Sequence, residues 1–153
     1  MPGLPRFGAL TRGSAVTQIE VLPLAASHRE QWDTLARAYK PSYLADLPDS
    51  AYARTDGRLV GIAHFLFHTG IWSPCACYLE DLFVEPAARG RGVARMLIEA
   101  VAEHARGEGA GRLYWLTHET NATARALYDR IAARSGFIEY EYPLINPSAG
   151  PAG

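Results

Sequence analysis

Residues 78–106, YLEDLFVEPAARGRGVARMLIEAVAEHAR, read without interruption as strand, turn and helix. Leu79, Leu82, Phe83 and Val84 form a short apolar run of β-prone residues, and Pro86, which has no backbone N–H, marks its end. Beyond it, Arg89-Gly90-Arg91-Gly92-Val93-Ala94 opens a helix whose Ala94, Leu97, Ile98, Val101 and Ala105 recur at helical spacing on one face. The first turn of such a helix holds N–H groups without intrahelical partners and the positive end of the helix dipole, a combination suited to phosphate. Gly90 and Gly92 permit positive φ and close approach of a ligand to the backbone, while Arg89, Arg91 and Arg95 add positive charge.

On the amino-terminal side, residues 17–22 alternate polar and apolar as a half-buried strand does, and Pro23 closes them. Ser27 and Glu30 form a capping-box pattern ahead of Trp32, Leu35, Ala36 and Tyr39, predicting a helix that Pro41 stops. Residues 42–49 are too apolar for a plain linker and too broken for a helix. Thr55-Asp56-Gly57-Arg58 predicts a hairpin turn between a strand at 51–53 and one at 59–68, and Thr69-Gly70 with Ser73-Pro74 brackets a second, so strands at 59–68 and 75–84 should be antiparallel neighbours. On the carboxyl side, Gly107, Gly109 and Gly111 end the helix and residues 113–117 read as a strand. Thr120 or Asn121 then caps a helix through Ala124, Leu127, Tyr128, Ile131 and Ala132, and residues 137–144 read as a final strand. The order β, α, β, β, β, α, β, α, β predicts an α/β chain, a mixed sheet flanked by helices. A right-handed crossover makes strands 78–84 and 113–117 parallel, with a ligand expected at their carboxyl ends.

At 153 residues the chain suits one domain, expected at 16–145 between flexible tails at 1–15 and 146–153. Its composition, 48% hydrophobic and 20% charged, is that of a soluble globular protein. No apolar run approaches the ~18 residues of a membrane span, and the amino terminus lacks a secretory pattern, so the expected address is cytoplasmic and away from membrane. A formal net charge of −1 argues against nucleic-acid binding by bulk electrostatics. Cys75 and Cys77 have no second pair, His64 and His68 sit in a strand-like apolar run, and His118-Glu119 lacks a second histidine, so no metal is expected.

Residues 89–94 resemble the Gln/Arg-x-x-Gly-x-Gly/Ala pyrophosphate signature of the GNAT superfamily of N-acetyltransferases; the P-loop Lys-Ser/Thr and the dinucleotide G-x-G-x-x-G are both missing. One strand later, Asn121-Ala-Thr-Ala-Arg-Ala-Leu-Tyr128 resembles that superfamily's N-x-x-A-x-x-L-Y segment, with Ser135-Gly136-Phe137 following, so the resemblance spans about the last half of the chain. YLEDLFV at 78–84 resembles the diamine and polyamine acetyltransferases, as do LVGIA at 59–63 and Ile71-Trp72. YWLTHETN at 114–121 is similar to a bacterial and fungal branch that acetylates D-amino acids, polyamines or basic proteins. Only about twenty residues separate the first helix from the strand at Leu59, where the family has room for a second helix.

The resemblance implies a GNAT-like acyl-CoA N-acyltransferase fold, acetyl-CoA as cosubstrate, and direct attack by an amine in a ternary complex. It assigns the pyrophosphate to Arg89, Gly90, Arg91, Gly92, Val93 and Ala94, pantetheine and the thioester carbonyl to backbone N–H groups near Phe83 and Val84, and further CoA contacts to Asn121 and Tyr128. An amine of pKa about 10.4 is neutral in only ~1 of 10³ molecules near pH 7, so a base contributes up to ~4 kcal/mol. By the same resemblance Glu80 is that base and Asp81 holds the cationic acceptor; as consecutive strand residues they should face opposite sides of the sheet. Tyr128 would protonate the leaving thiolate, since a phenol keeps its proton at neutral pH. Each also has a plainer reading: solvated or ion-paired strand residues for Glu80 and Asp81, a core tyrosine for Tyr128, a helix cap for Asn121. His64, His68 and Trp72 either line the acceptor groove or pack at its rim. The implied partners are a small amine (polyamine, diamine or amino acid) and a second copy in a homodimer. The alternatives are acetylation of basic protein or peptide tails, or a non-catalytic acyl-CoA sensor.

Overall fold

Strands β1 (Leu10–Arg12), β2 (Ile19–Pro23), β3 (Ser50–Thr55), β4 (Arg58–His68), β5 (Ala76–Val84) and β6 (Leu113–Tyr114) lie side by side in chain order in one sheet. The first five are antiparallel to their neighbours and β5 and β6 are parallel. The mixed sheet with flanking helices is thus as the sequence predicts. This is a computed structural model, and it describes residues 10–12, 18–39, 50–70 and 73–144. The chain divides into two units, residues 1–116 and residues 117–153.

In the first unit, α1 (Arg29–Tyr39) and α2 (Val93–Gly107) cover opposite faces of the sheet. The alternation of β4 shows it. Ile62 packs with Trp32, Leu35 and Ala36 of α1, while its neighbour Gly61 points at Leu97 and Val93 of α2. Leu97, Ile98, Val101 and Ala105 are all buried, as their spacing predicts. A Cβ on Gly61 would stand 3.1 Å from Leu97 Cδ1, from Val93 Cγ1 and from the Phe83 carbonyl oxygen.

Four details depart from the sequence reading. β1 falls within residues expected to form a loose tail, and pairs with β2. The helix after β2 begins with a 3₁₀ turn, Ala26–His28, and the bond expected from Glu30 comes instead from His28, whose Nδ1 accepts the Ala25 N–H at 3.2 Å. The parallel ladder reaches only Leu113 and Tyr114. Residues 137–144 form no strand, and Phe137, Ile138, Tyr140, Tyr142 and Leu144 are exposed. Their alternation satisfies one face of a strand, but a strand also needs a neighbouring backbone, and none pairs with them among the described residues. Residues 41–49, which the sequence left unassigned, lie outside the described residues, as do Ile71 and Trp72.

The cysteines are packed thiols, one half-buried and one buried; burial, then the neighbouring Cys75, pushes Cys77 up to about 12. Alkylation near pH 8 should therefore modify Cys75 in the native protein and reach Cys77 only after unfolding, as mass spectrometry would report. Gly61→Ala should cost about 1–3 kcal/mol, because one of the three obstructing atoms is a main-chain oxygen that cannot rotate away; a melting temperature equal to wild type would contradict this packing.

Candidate active site

The register of β5 builds the site. His64 pairs with Asp81 and the next residue, Phe65, pairs with Leu79, so Glu80 is an extra residue with no opposite number in β4. A bulge of this kind bends its strand and re-aims side chains. Here the parallel ladder to β6 ends at Tyr78 and Tyr114, while β5 continues through Val84. Beyond Tyr78 no further ladder pair joins the two strands among the described residues, which leaves that edge of β5 without a ladder partner among them.

The open edge leads to the start of α2. After β5 a 3₁₀ turn, Pro86–Ala88, hands the chain to Gly90 and Gly92, at φ 75° and 81°. Both have the positive φ their sequence positions anticipate, and no atom lies within 4 Å of where a Cβ would stand on either, so the backbone there is open to a ligand. Gly92 caps α2, presenting the unpaired N–H groups of Val93 and Ala94 at the helix start. The arginines have three different settings. Arg89 Nε donates to the Val84 carbonyl at 3.0 Å, tying the turn to the strand end. Arg95 pairs with Glu99 at 2.7 Å, one turn along α2. Arg91 is exposed and makes no side-chain hydrogen bond or ion pair among the described residues.

The carboxylates of the bulge differ in how they reach Tyr39, the last residue of α1: Asp81 hydrogen-bonds it, while Glu80 acts on it through charge alone. Burial raises the Tyr39 phenol above its ordinary range, followed by the charge of Asp81, a hydrogen bond to it, and the charge of Glu80. Tyr39 also packs its ring 5.5 Å from that of Phe83. Asp81 Oδ2 lies 3.1 Å from His64 Nδ1, both side chains being mostly buried, whereas Glu80 is exposed. His68 stands further along β4, bonded through Nε2 to the Tyr114 hydroxyl at 2.8 Å. Thus His64 and Asp81, singled out separately in the sequence, meet; Trp72 is not among the described residues. Tyr39 was read only as part of the α1 apolar stripe.

In the second unit, α3 (Ala122–Ile131) begins at Asn121, whose Oδ1 accepts the Ala124 N–H at 3.3 Å and whose Nδ2 donates to Thr117 Oγ1 at 3.3 Å. The capping reading of Asn121 therefore holds. Tyr128 is half-buried on the same helix. Among the described residues no cluster of three histidine, cysteine or acidic side chains could hold a metal.

The acetyltransferase (GNAT) family pattern matches residues 15–133, across all of these features. The chain belongs to the GNAT acetyltransferase family. It is 35% identical over 92 residues to a D-amino-acid N-acetyltransferase, HPA3, of Saccharomyces cerevisiae, covering 60% of this chain and 57% of that one. It is 37% identical over 71 residues to a thialysine N-epsilon-acetyltransferase of Caenorhabditis elegans, 46% of this chain and 44% of the other. This GNAT chain thus spans about half the length of the curated relatives it matches. A solved structure of the aminoglycoside acetyltransferase AAC(6')-Iy with a bisubstrate analogue shares the fold, with a TM-score of 0.74 at 22% identity, over 82% of this chain and 97% of that one.

Tyr39 offers a direct test of the acidic pair. Because the folded phenol ionises above 10.0 and the unfolded one near it, the stability this setting contributes is intact below about pH 10 and is lost as pH rises further. Asp81→Asn should lower the Tyr39 pKa toward its ordinary value without reaching it, since burial remains; ¹³Cζ-tyrosine NMR titration would follow the shift.

Proposed function

We propose that this GNAT chain is an acetyl-CoA-dependent N-acetyltransferase whose acceptor is the primary amine of a small molecule, a polyamine, diamine or amino acid. The observation that carries the reading is the end of the β5–β6 ladder at Tyr78, which leaves a strand edge running directly into an anion-ready helix start, with two carboxylates on the bulge beside it. The names of the relatives, acetyltransferases for D-amino acids and thialysine, support a small amine as acceptor.

The residues fit acetyl-CoA. Backbone N–H groups at the start of α2 and the exposed Arg91 suit a pyrophosphate, and Arg89, held through Nε, keeps its two terminal nitrogens for the same charge. The open edge at Phe83 and Val84 offers backbone donors to an extended amide-bearing chain and to a carbonyl. When bound, acetyl-CoA supplies the activated acetyl group. Exposed Glu80 takes the proton of the incoming ammonium, and Asp81 adds negative charge that favours a cationic acceptor. Tyr128 carries the phenol proton that the departing sulfur needs, and Asn121 fixes the start of the helix that bears it.

Calorimetry with CoA, followed by thiol release against a panel of amines and basic peptides, tests the proposal. Turnover on small amines supports it; turnover confined to peptides favours a protein acceptor; binding with no turnover favours a sensor; no binding sinks all three. Arg91→Ala should weaken CoA binding about tenfold. Tyr128→Phe should lower kcat by about 10²-fold while leaving CoA affinity near wild type, and an unchanged kcat would remove the phenol from the chemistry.

A further inference from the structure

The face of β4 and β5 toward α1 carries a titratable group that the transfer above leaves unused. His64 Nδ1 stands 3.1 Å from Asp81 Oδ2, with 20% and 21% of the two side chains exposed. A carboxylate against Nδ1 selects the neutral tautomer with its proton there and leaves the lone pair on Nε2, the arrangement that orients an imidazole as a base. His64 Nε2 has no hydrogen-bond partner among the described residues. The other ionisable groups near the pair are the neighbouring Glu80 on β5 and Tyr39 at the end of α1, which Asp81 hydrogen-bonds, with the bonded His68 and Tyr114 further along; β3 brings the backbone of Ser50 opposite His64. No lysine or arginine forms an ion pair with Glu80 or Asp81 among the described residues, so the imidazole is the basic group in contact with Asp81.

We propose that His64 is the terminal proton acceptor of the transfer: Glu80 takes the proton from the acceptor ammonium, His64 Nε2 receives it, and Asp81 orients the ring and stabilises the imidazolium. The inference rests on the acetyltransferase reading. Its chemical reason is a mismatch. A carboxylate is a far weaker base than an amine and a poor final acceptor for an ammonium proton, whereas an imidazole lies between the two and shortens the uphill step. The protons balance. Acetyl transfer to an alkylammonium forms one C–N bond and breaks one C–S bond. Of the two protons the nitrogen loses, one ends on the departing sulfur as a thiol and the other passes through His64 to water.

The test is the pH dependence of kcat/KM, for wild type and His64→Gln, with the best amine of the panel. A working base draws its proton from the bound ammonium, so wild type should level off well below the pH at which the free amine loses its own proton. His64→Gln, which keeps an amide to hydrogen-bond Asp81, must depend on amine already neutral in solution. Its rate should be at least about tenfold lower at pH 7, climb about tenfold per pH unit, and approach wild type near pH ~10 as the amine itself ionises. A weakly basic β-fluorinated counterpart of the same amine should show little penalty in the variant. Asp81→Asn should displace the profile in the same direction. A His64→Gln profile parallel to wild type, or superimposed on it, overturns the proposal, because a structural role lowers the rate equally at all pH values and for both amines. Wild type that binds CoA but releases no thiol with any amine overturns the acetyltransferase reading instead, which keeps the two failures distinct.

Discussion

One extra residue in one strand organises the active half of this molecule. With Glu80 unmatched in β4, everything before it on β5 keeps register with Phe65 and beyond, and everything after it is shifted by one. The shift follows directly on the last β5–β6 pair, and it changes the alternation of the side chains beyond it. Gly61 completes the arrangement on the other face. With no side chain there, α2 settles against β4 close to the Phe83 carbonyl, and its amino terminus is fixed at the end of β5.

In the proposed reading, donor and acceptor chemistry are laid out along a single strand-turn-helix. The carboxylates come first, at 80 and 81, then the open backbone edge through Val84, then the turn and the helix start with its arginines. This order explains how a peptide segment of under twenty residues can bear so much of the recognisable signal.

That order was legible in the sequence because its ingredients are local. Glycines at 90 and 92 demand a particular backbone, Pro86 ends a strand, and an apolar stripe at helical spacing declares α2, all without reference to anything distant. The bulge was not legible. Nothing in YLEDLFV says which β4 residue each position opposes, so neither the unmatched Glu80 nor the meeting of His64 with Asp81 across the ladder had a local sign. The same limit applies to residues 137–144, whose alternation is a statement about one face and not about a partner. His28 replaced Glu30 at the start of α1 for a related reason, since a preceding 3₁₀ turn moved the positions that a capping box presumes.

The bond from Arg89 Nε to the Val84 carbonyl bears on which substitutions this turn tolerates. A guanidinium is a rigid plane with donors on three nitrogens, so it can be anchored to the main chain by one and still direct the other two at an anion. An ammonium has one centre and no such division of labour. A lysine at this position would keep the charge and forfeit either the tether or the aim, which makes residue 89 a place where a change conservative in charge is not conservative in geometry.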